Sequence, residues 1–165
     1  MASHEKKSDV KLLAEKIKDI RIAMMTTQEA DGTLRSRPMA TQDVEFDGDL
    51  WFFTSSDAPK VSEVSQHHQV NISYSKPDDN LFVSVSGVAE LVRDHDTIKH
   101  YWRHFYKAWF PQGLDDPTLA LLKVHVESAE YWDVPSGKMT LLYRLTKKAA
   151  GTWEDIGEDV KLDMR

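Results

Sequence analysis

This chain of 165 residues predicts a small antiparallel β-barrel with inserted helices, an α+β fold that is mainly β. Three observations point there. Short runs alternating apolar and polar residues recur along the chain. They are separated by tight-turn signals: Ala30-Asp31-Gly32, Asp47-Gly48 and Lys76-Pro77-Asp78-Asp79-Asn80. The longest run, Phe82 to Val92, carries Gly87 where a long strand would bend or bulge. Strands joined by such short turns pair antiparallel and leave no room for the crossovers of a doubly wound parallel sheet.

The elements follow in order. Val10, Leu13, Ala14, Ile17 and Ile20 recur at helical spacing behind Ser8 and Asp9, so an amphipathic helix is expected over residues 9–20. Ile22 to Thr27 and Leu34 to Thr41 form a first hairpin around Ala30-Asp31-Gly32. Arg35 to Lys60 reads as a second hairpin, reversing at Asp47-Gly48 into the apolar strand Leu50-Trp51-Phe52-Phe53 and on into Thr54-Ser55-Ser56. Asp57-Ala58-Pro59-Lys60 then opens a helix to about His67, with Asp57 as cap and Val61 and Val64 buried. Val70 to Ser75 is a strand, as is Phe82 to Val92. Asp94 to Trp109 is expected as one helix with Ile98, Tyr101, Trp102, Phe105 and Trp109 along one stripe. After the loop Phe110-Pro111-Gln112-Gly113, Asp116-Pro117 starts a short helical turn, Lys123 to Asp133 is a strand and Leu141 to Leu145 a last one. No repeat or linker divides the chain. A single domain is expected, with its core over about 10–145 and a loosely held or partner-docked tail over 146–165.

Bulk properties narrow the function. The chain has no cysteine, which excludes disulfides, iron–sulfur clusters, thiolate zinc and a cysteine nucleophile, and suits a reducing cytoplasm. A formal charge of −6 disfavours nucleic acid as a partner. No apolar run is long enough for a membrane span, and the first residues lack the apolar core of a signal peptide, so a cytoplasmic protein is expected. There is no Walker loop (Pro135-Ser136-Gly137-Lys138 lacks its leading glycine), no Gly-x-Gly-x-x-Gly turn, and no triad or His-Glu-x-x-His element.

What remains is a set of anion-binding groups. A phosphate held without a P-loop needs one or two cations, a few hydroxyl or backbone donors and a rigid mount. Arg37, Thr54, Ser55 and Lys60 meet that need, and the N-terminus of the helix after Ala58 adds free N–H groups and a positive dipole end. The same residues also fit two surface cations and a helix-capping loop, and spacing alone does not choose. His100 and His104 stand at i and i+4 but opposite the apolar stripe and without a third ligand, so a solvated face is expected. His67 and His68 are placed to cap carbonyls. Tyr101, Trp102, Phe105 and Trp109 are placed either in the core, over a ligand ring or in a subunit contact.

Taken together and in this order, RSRPM (35–39), FFTSSDAPK (52–60), AWFPQG (108–113), DDP (115–117) and EYWD (130–133) resemble the flavin-binding split-barrel proteins related to pyridoxamine 5'-phosphate oxidase, and among them the bacterial general stress proteins. The resemblance runs from about Val10 to about Leu145. It implies a six-stranded split β-barrel that binds FMN, with FAD as an alternative, in a cleft between the subunits of a homodimer. Flavin-dependent oxidoreductase chemistry in a stress response is the leading expectation, with the electron donor left open and a nicotinamide as the candidate to test. By the resemblance, Arg37 opens the flavin-contacting strand, and Pro38, Met39 and Gln42 fall where that strand meets the isoalloxazine ring. Phe53 and Thr54 fall at the end of the next strand, Lys60 holds the phosphate with Ser55 beside it, and Trp132-Asp133 lies near the subunit boundary. Gln42 stands where the oxidases carry a lysine. The oxidases' carboxy-terminal Arg-Leu-His-Asp-Arg signature is absent, Tyr143-Arg144-Leu145 being no substitute, so vitamin B6 oxidation is not expected. A non-enzymatic FMN or FAD carrier or sensor is the alternative, and haem or deazaflavin binding a third.

Overall fold

The computed structural model describes residues 2–42, 46–133 and 158–163, with side chains described over 9–42 and 46–133. Helix α1 (Ala2–Ile17) leads into strands β1 (Ile22–Gln28), β2 (Leu34–Ala40) and β3 (Asp49–Ser55), then α2 (Pro59–Gln66). Strands β4 (Gln69–Lys76) and β5 (Leu81–Val92), a short helix α3 (His95–Tyr101), 3₁₀ turns at His104–Ala108 and Gly113–Asp115, and strands β6 (Leu119–Asp133) and β7 (Glu158–Asp163) complete it. Every pairing is antiparallel, in the path β2-β1-β4-β5-β6-β3, and β7 also pairs with β6. The expected six-stranded antiparallel sheet is therefore present, with β7 as a seventh strand.

Alternation puts one side of each strand inside. Met25, Ile72, Val83, Val85, Leu122, Val124 and Phe52 form the core, and α1 closes it with Leu13 and Ile17. Burial of this kind supplies the main stabilisation, roughly 25 cal/mol per Å² of apolar surface. α1 is pinned to β6 by Lys16 Nζ, 2.5 Å from Asp133 Oδ2 and 4.6 Å from the centre of the Tyr131 ring. Gly87 sits at the register shift between β5 and β6, where a Cβ would come within 2.3 Å of the His125 carbonyl oxygen. Only glycine fits that crossing.

Several expectations are corrected. Residues 35–60 are not a hairpin: β2 pairs along its length with β1, and β3 pairs with β6, at the two ends of the path. Asp47-Gly48 does turn the chain, with Gly48 at φ 124°, but it delivers β3 to β6. α1 starts before Ser8 and stops at Ile17. Asp94 to Trp109 is not one helix: α3 ends at Trp102, whose ψ of 134° is extended. The break lets Trp102, Tyr106 and Phe110 gather round Phe53 at 5.5, 4.8 and 6.2 Å between ring centres, so tertiary packing overrides the helical stripe. Phe105 and Trp109 are left exposed. The helical turn lies at Gly113–Asp115, ahead of Asp116. Residues 158–163, within the segment expected as a loosely held or partner-docked tail, pair with β6 of the same chain from Asp133 back to Ser128. The strand expected at 141–145, the segments 135–138 and 143–145, and the rest of the tail lie outside the described residues.

Candidate functional site

Because β2 and β3 end the path, their outer edges stay unpaired with one another, and a cleft of about 320 Å³ opens between them. Its walls are Pro38, Met39 and Ala40 from β2, Phe53, Thr54 and Ser55 from β3, Ala58 and Lys60 from the start of α2, and Tyr106, Trp109 and Phe110. Six of the eight residues singled out by resemblance thus share one hollow: Pro38, Met39, Phe53, Thr54, Ser55 and Lys60. A small-molecule cleft spans roughly 300–1,000 Å³, so this one stands at the lower limit. Trp109 keeps 58% of its surface exposed and Ile22, on the same rim, 51%, so the aromatic side is open to solvent.

One end of the cleft gathers Ser55, Lys60 and the start of α2. α2 begins at Ala58 with Pro59 in its first turn, and no side chain caps it; the expected Asp57 cap does not form. Pro59 has no N–H and the Val61 N–H donates to the Ala58 carbonyl oxygen at 2.9 Å, which leaves the Lys60 N–H without a side-chain acceptor at the positive end of the helix dipole. Lys60 lies in that first turn. Burial, and after it the Arg37 guanidinium, push the Lys60 ammonium below the usual lysine range, while Glu63 opposes the shift. An anion in the cleft would relieve both unfavourable influences.

Arg37 is placed differently from the expectation. It is not a wall of the cleft. Its Nη1 donates to Thr27 Oγ1 at 2.5 Å and its Nη2 to Glu63 Oε2 at 2.8 Å, while Thr27 Oγ1 donates to the same carboxylate oxygen. Arg37 and Glu63 keep 15% and 10% of their side chains exposed, and Thr27 is 1% exposed. The guanidinium, a carboxylate and a hydroxyl thus form a closed, largely buried triad joining β1, β2 and α2. Glu63 and Thr27 were missed by the sequence reasoning. The available signal was an acidic residue between Val61 and Val64 on the stripe that α2 buries.

Gln42 lies two residues past β2 and faces two neighbouring clefts, of about 330 and 390 Å³, with Thr41 and Lys18. Its Nε2 is buried and, among the described residues, has no hydrogen-bond partner. The 390 Å³ cleft shares Ile22, Ala40 and Trp109 with the first, so Trp109 stands between them. His100 and His104 are exposed, on separate short elements, and His67 and His68 are exposed at the end of α2. No group of three metal-ligating side chains occurs among the described residues. None of their helices is long and apolar enough to cross a membrane.

The sequence model of a family described as pyridoxamine 5'-phosphate oxidase like matches residues 8–154. Protein bli-3 of Neurospora crassa is 31% identical over 136 residues, 72% of this chain and 65% of that protein, so the chain spans just under two thirds of that relative. Among solved structures, a general stress FMN/FAD binding protein from the phytopathogen Xanthomonas citri is 27% identical, with a TM-score of 0.65 over 83% of this chain and 93% of its own. A protein from Clostridium acetobutylicum related to general stress protein 26 of Bacillus subtilis (pyridoxinephosphate oxidase family) superposes with a TM-score of 0.71 over 96% of both chains. At 14% identity the latter speaks for the fold alone.

Proposed function

The chain belongs to the pyridoxamine 5'-phosphate oxidase-like family, and from that premise we propose that it binds FMN in the cleft between β2 and β3 and acts as a flavin-dependent oxidoreductase of the general stress type. The observation that carries the proposal is the convergence of Lys60, Ser55, Thr54 and the uncapped start of α2 at one end of a cleft whose other walls are Met39, Phe53, Tyr106 and Trp109. The cationic end takes the phosphate and the apolar end the ring. Bound there, a flavin supplies hydride chemistry at its N5 atom. The protein's own part is to orient the ring, exclude water and set the charge around it. FAD fits the same anion end.

The proposed assembly is a homodimer in the cytoplasm. The outward face of the sheet carries Asn71, Ser73, Ser84 and Ser86, linked by hydrogen bonds, edged by exposed Met24 and Phe82. Small polar residues bordered by large apolar ones suit burial against a second copy. The second copy would also close the open side of a cleft that is small for a flavin.

A non-enzymatic flavin carrier is the second proposal. It is favoured by the described walls of the cleft, which hold no acid–base group besides Lys60 and the buried Tyr106. One preparation tests all of this. Purified protein, loaded with FMN where needed, should show the flavin bands and a dimer mass, and NADH or NADPH should bleach the bands without oxygen. Bound flavin that no nicotinamide bleaches favours the carrier, and protein that takes up neither FMN nor FAD ends the flavin proposal.

A further inference from the structure

The Arg37–Glu63–Thr27 triad is more than a fold contact, because its carboxylate and the guanidinium bonded to it stand within one turn of α2 from Lys60, which lines the cleft. Lys60 and Glu63 stand at i and i+3 on α2, and Arg37 already influences the Lys60 ammonium. Two of the guanidinium's N–H groups are taken by Glu63 and Thr27. Such a pair presents almost no net charge to a phosphate nearby, whereas a bare guanidinium at that depth would attract it strongly.

We infer that Glu63 is an affinity-setting residue: a resident carboxylate that occupies Arg37 and so lowers the cleft's hold on phosphorylated ligands, leaving Lys60 and the α2 N-terminus as the anion's main partners. The inference takes its ligand from the flavin proposal, but the effect concerns any phosphate at this end. An arriving phosphate meets the Lys60 ammonium directly, while the field of Arg37, which does not line the cleft, is offset by the Glu63 carboxylate bonded to it. The charge of Glu63 therefore weakens phosphate binding, although its hydrogen bonds hold the triad together.

The test compares wild type, Glu63→Gln, Arg37→Met and the double variant Arg37→Met/Glu63→Met in titrations with FMN and with riboflavin, which lacks the phosphate. Glu63→Gln keeps an acceptor for Arg37 and removes the charge. It should raise the preference for FMN over riboflavin about tenfold or more. Arg37→Met alone should lower that preference about tenfold, because an unpaired carboxylate then repels the phosphate. The double variant removes both charges and should return to within about threefold of wild type. It also retains the test if Glu63→Gln fails to fold, since replacing both members of a buried pair by apolar groups is often tolerated. An unchanged or reduced preference in Glu63→Gln, or a double variant as weak as Arg37→Met, overturns the inference. Inorganic phosphate, read as protection against thermal unfolding, separates the two layers. Stronger protection in Glu63→Gln upholds the role of Glu63 even if no flavin binds, an outcome that would refute only the flavin proposal.

Discussion

Arg37 and Lys60 are both cations beside the cleft, yet the structure predicts that their removal fails in different ways. Arg37→Met leaves Glu63, whose side chain is 10% exposed, without its ion-pair partner. Removing one member of a buried pair costs about 3–5 kcal/mol. The lower figure applies because Arg37 keeps 15% of its side chain in contact with water. For a chain of 165 residues, a loss of about 3 kcal/mol lowers the melting temperature by roughly 6–12 °C. Lys60→Met works the other way. The folded state already disfavours the Lys60 charge, so the variant should melt at or slightly above wild type. It should nevertheless lose one charge-assisted contact to FMN, about 1.5–3 kcal/mol, or roughly 10- to 100-fold in Kd. Differential scanning fluorimetry without ligand and FMN titration at one pH and salt concentration measure both effects. Arg37→Met melting within about 2 °C of wild type, or Lys60→Met binding FMN as wild type does, would refute the division of labour.

Three further outcomes are expected. Lys60 titrates below the ordinary lysine value of 10.5, and a bound phosphate favours its ammonium form, so FMN affinity should fall as pH rises through that lowered value. In the same window the unfolded chain holds more protons than the folded one, so ligand-free stability should rise; chemical denaturation from pH 8 upward checks both signs, and Lys60→Met should flatten both profiles. Gly87→Ala places a Cβ within 2.3 Å of the His125 carbonyl oxygen and should destabilise by about 1–3 kcal/mol or more, read as a lowered urea midpoint. Met24→Glu, on the exposed face of β1, should convert the proposed dimer to monomer in size-exclusion chromatography with light scattering, with the fold retained by circular dichroism.

Much of the fold was legible because its signals are local. Alternation marked β4 and β5, Gly87 marked the bulge, and Pro59 marked the start of α2. The lining of the cleft was legible in part, since Phe53, Thr54, Ser55 and Lys60 follow one another from a strand end into a helix start. The strand partners were not. A tight turn at Asp47-Gly48 suggested a hairpin, but β2 has its hydrogen-bonding edge satisfied by β1, and β3 by β6. Likewise the aromatic stripe after Asp94 has helical spacing, yet the gain from packing Trp102, Tyr106 and Phe110 around Phe53 outweighs about two turns of helix.

By itself the amino-acid sequence determined that β4, β5 and α2 form where they do, that the backbone requires glycine at Gly87, and that Lys60 follows a hydroxyl-rich strand end, since each of these depends on neighbours a few residues away. Tertiary structure alone decided that β2 and β3 face one another across a cleft and that the Arg37 guanidinium, 26 residues from Glu63, meets a carboxylate instead of standing free. The physical reason is that backbone preferences act over a turn or a strand, whereas the charge state of a site is set by whichever groups the closing sheet brings within hydrogen-bonding distance.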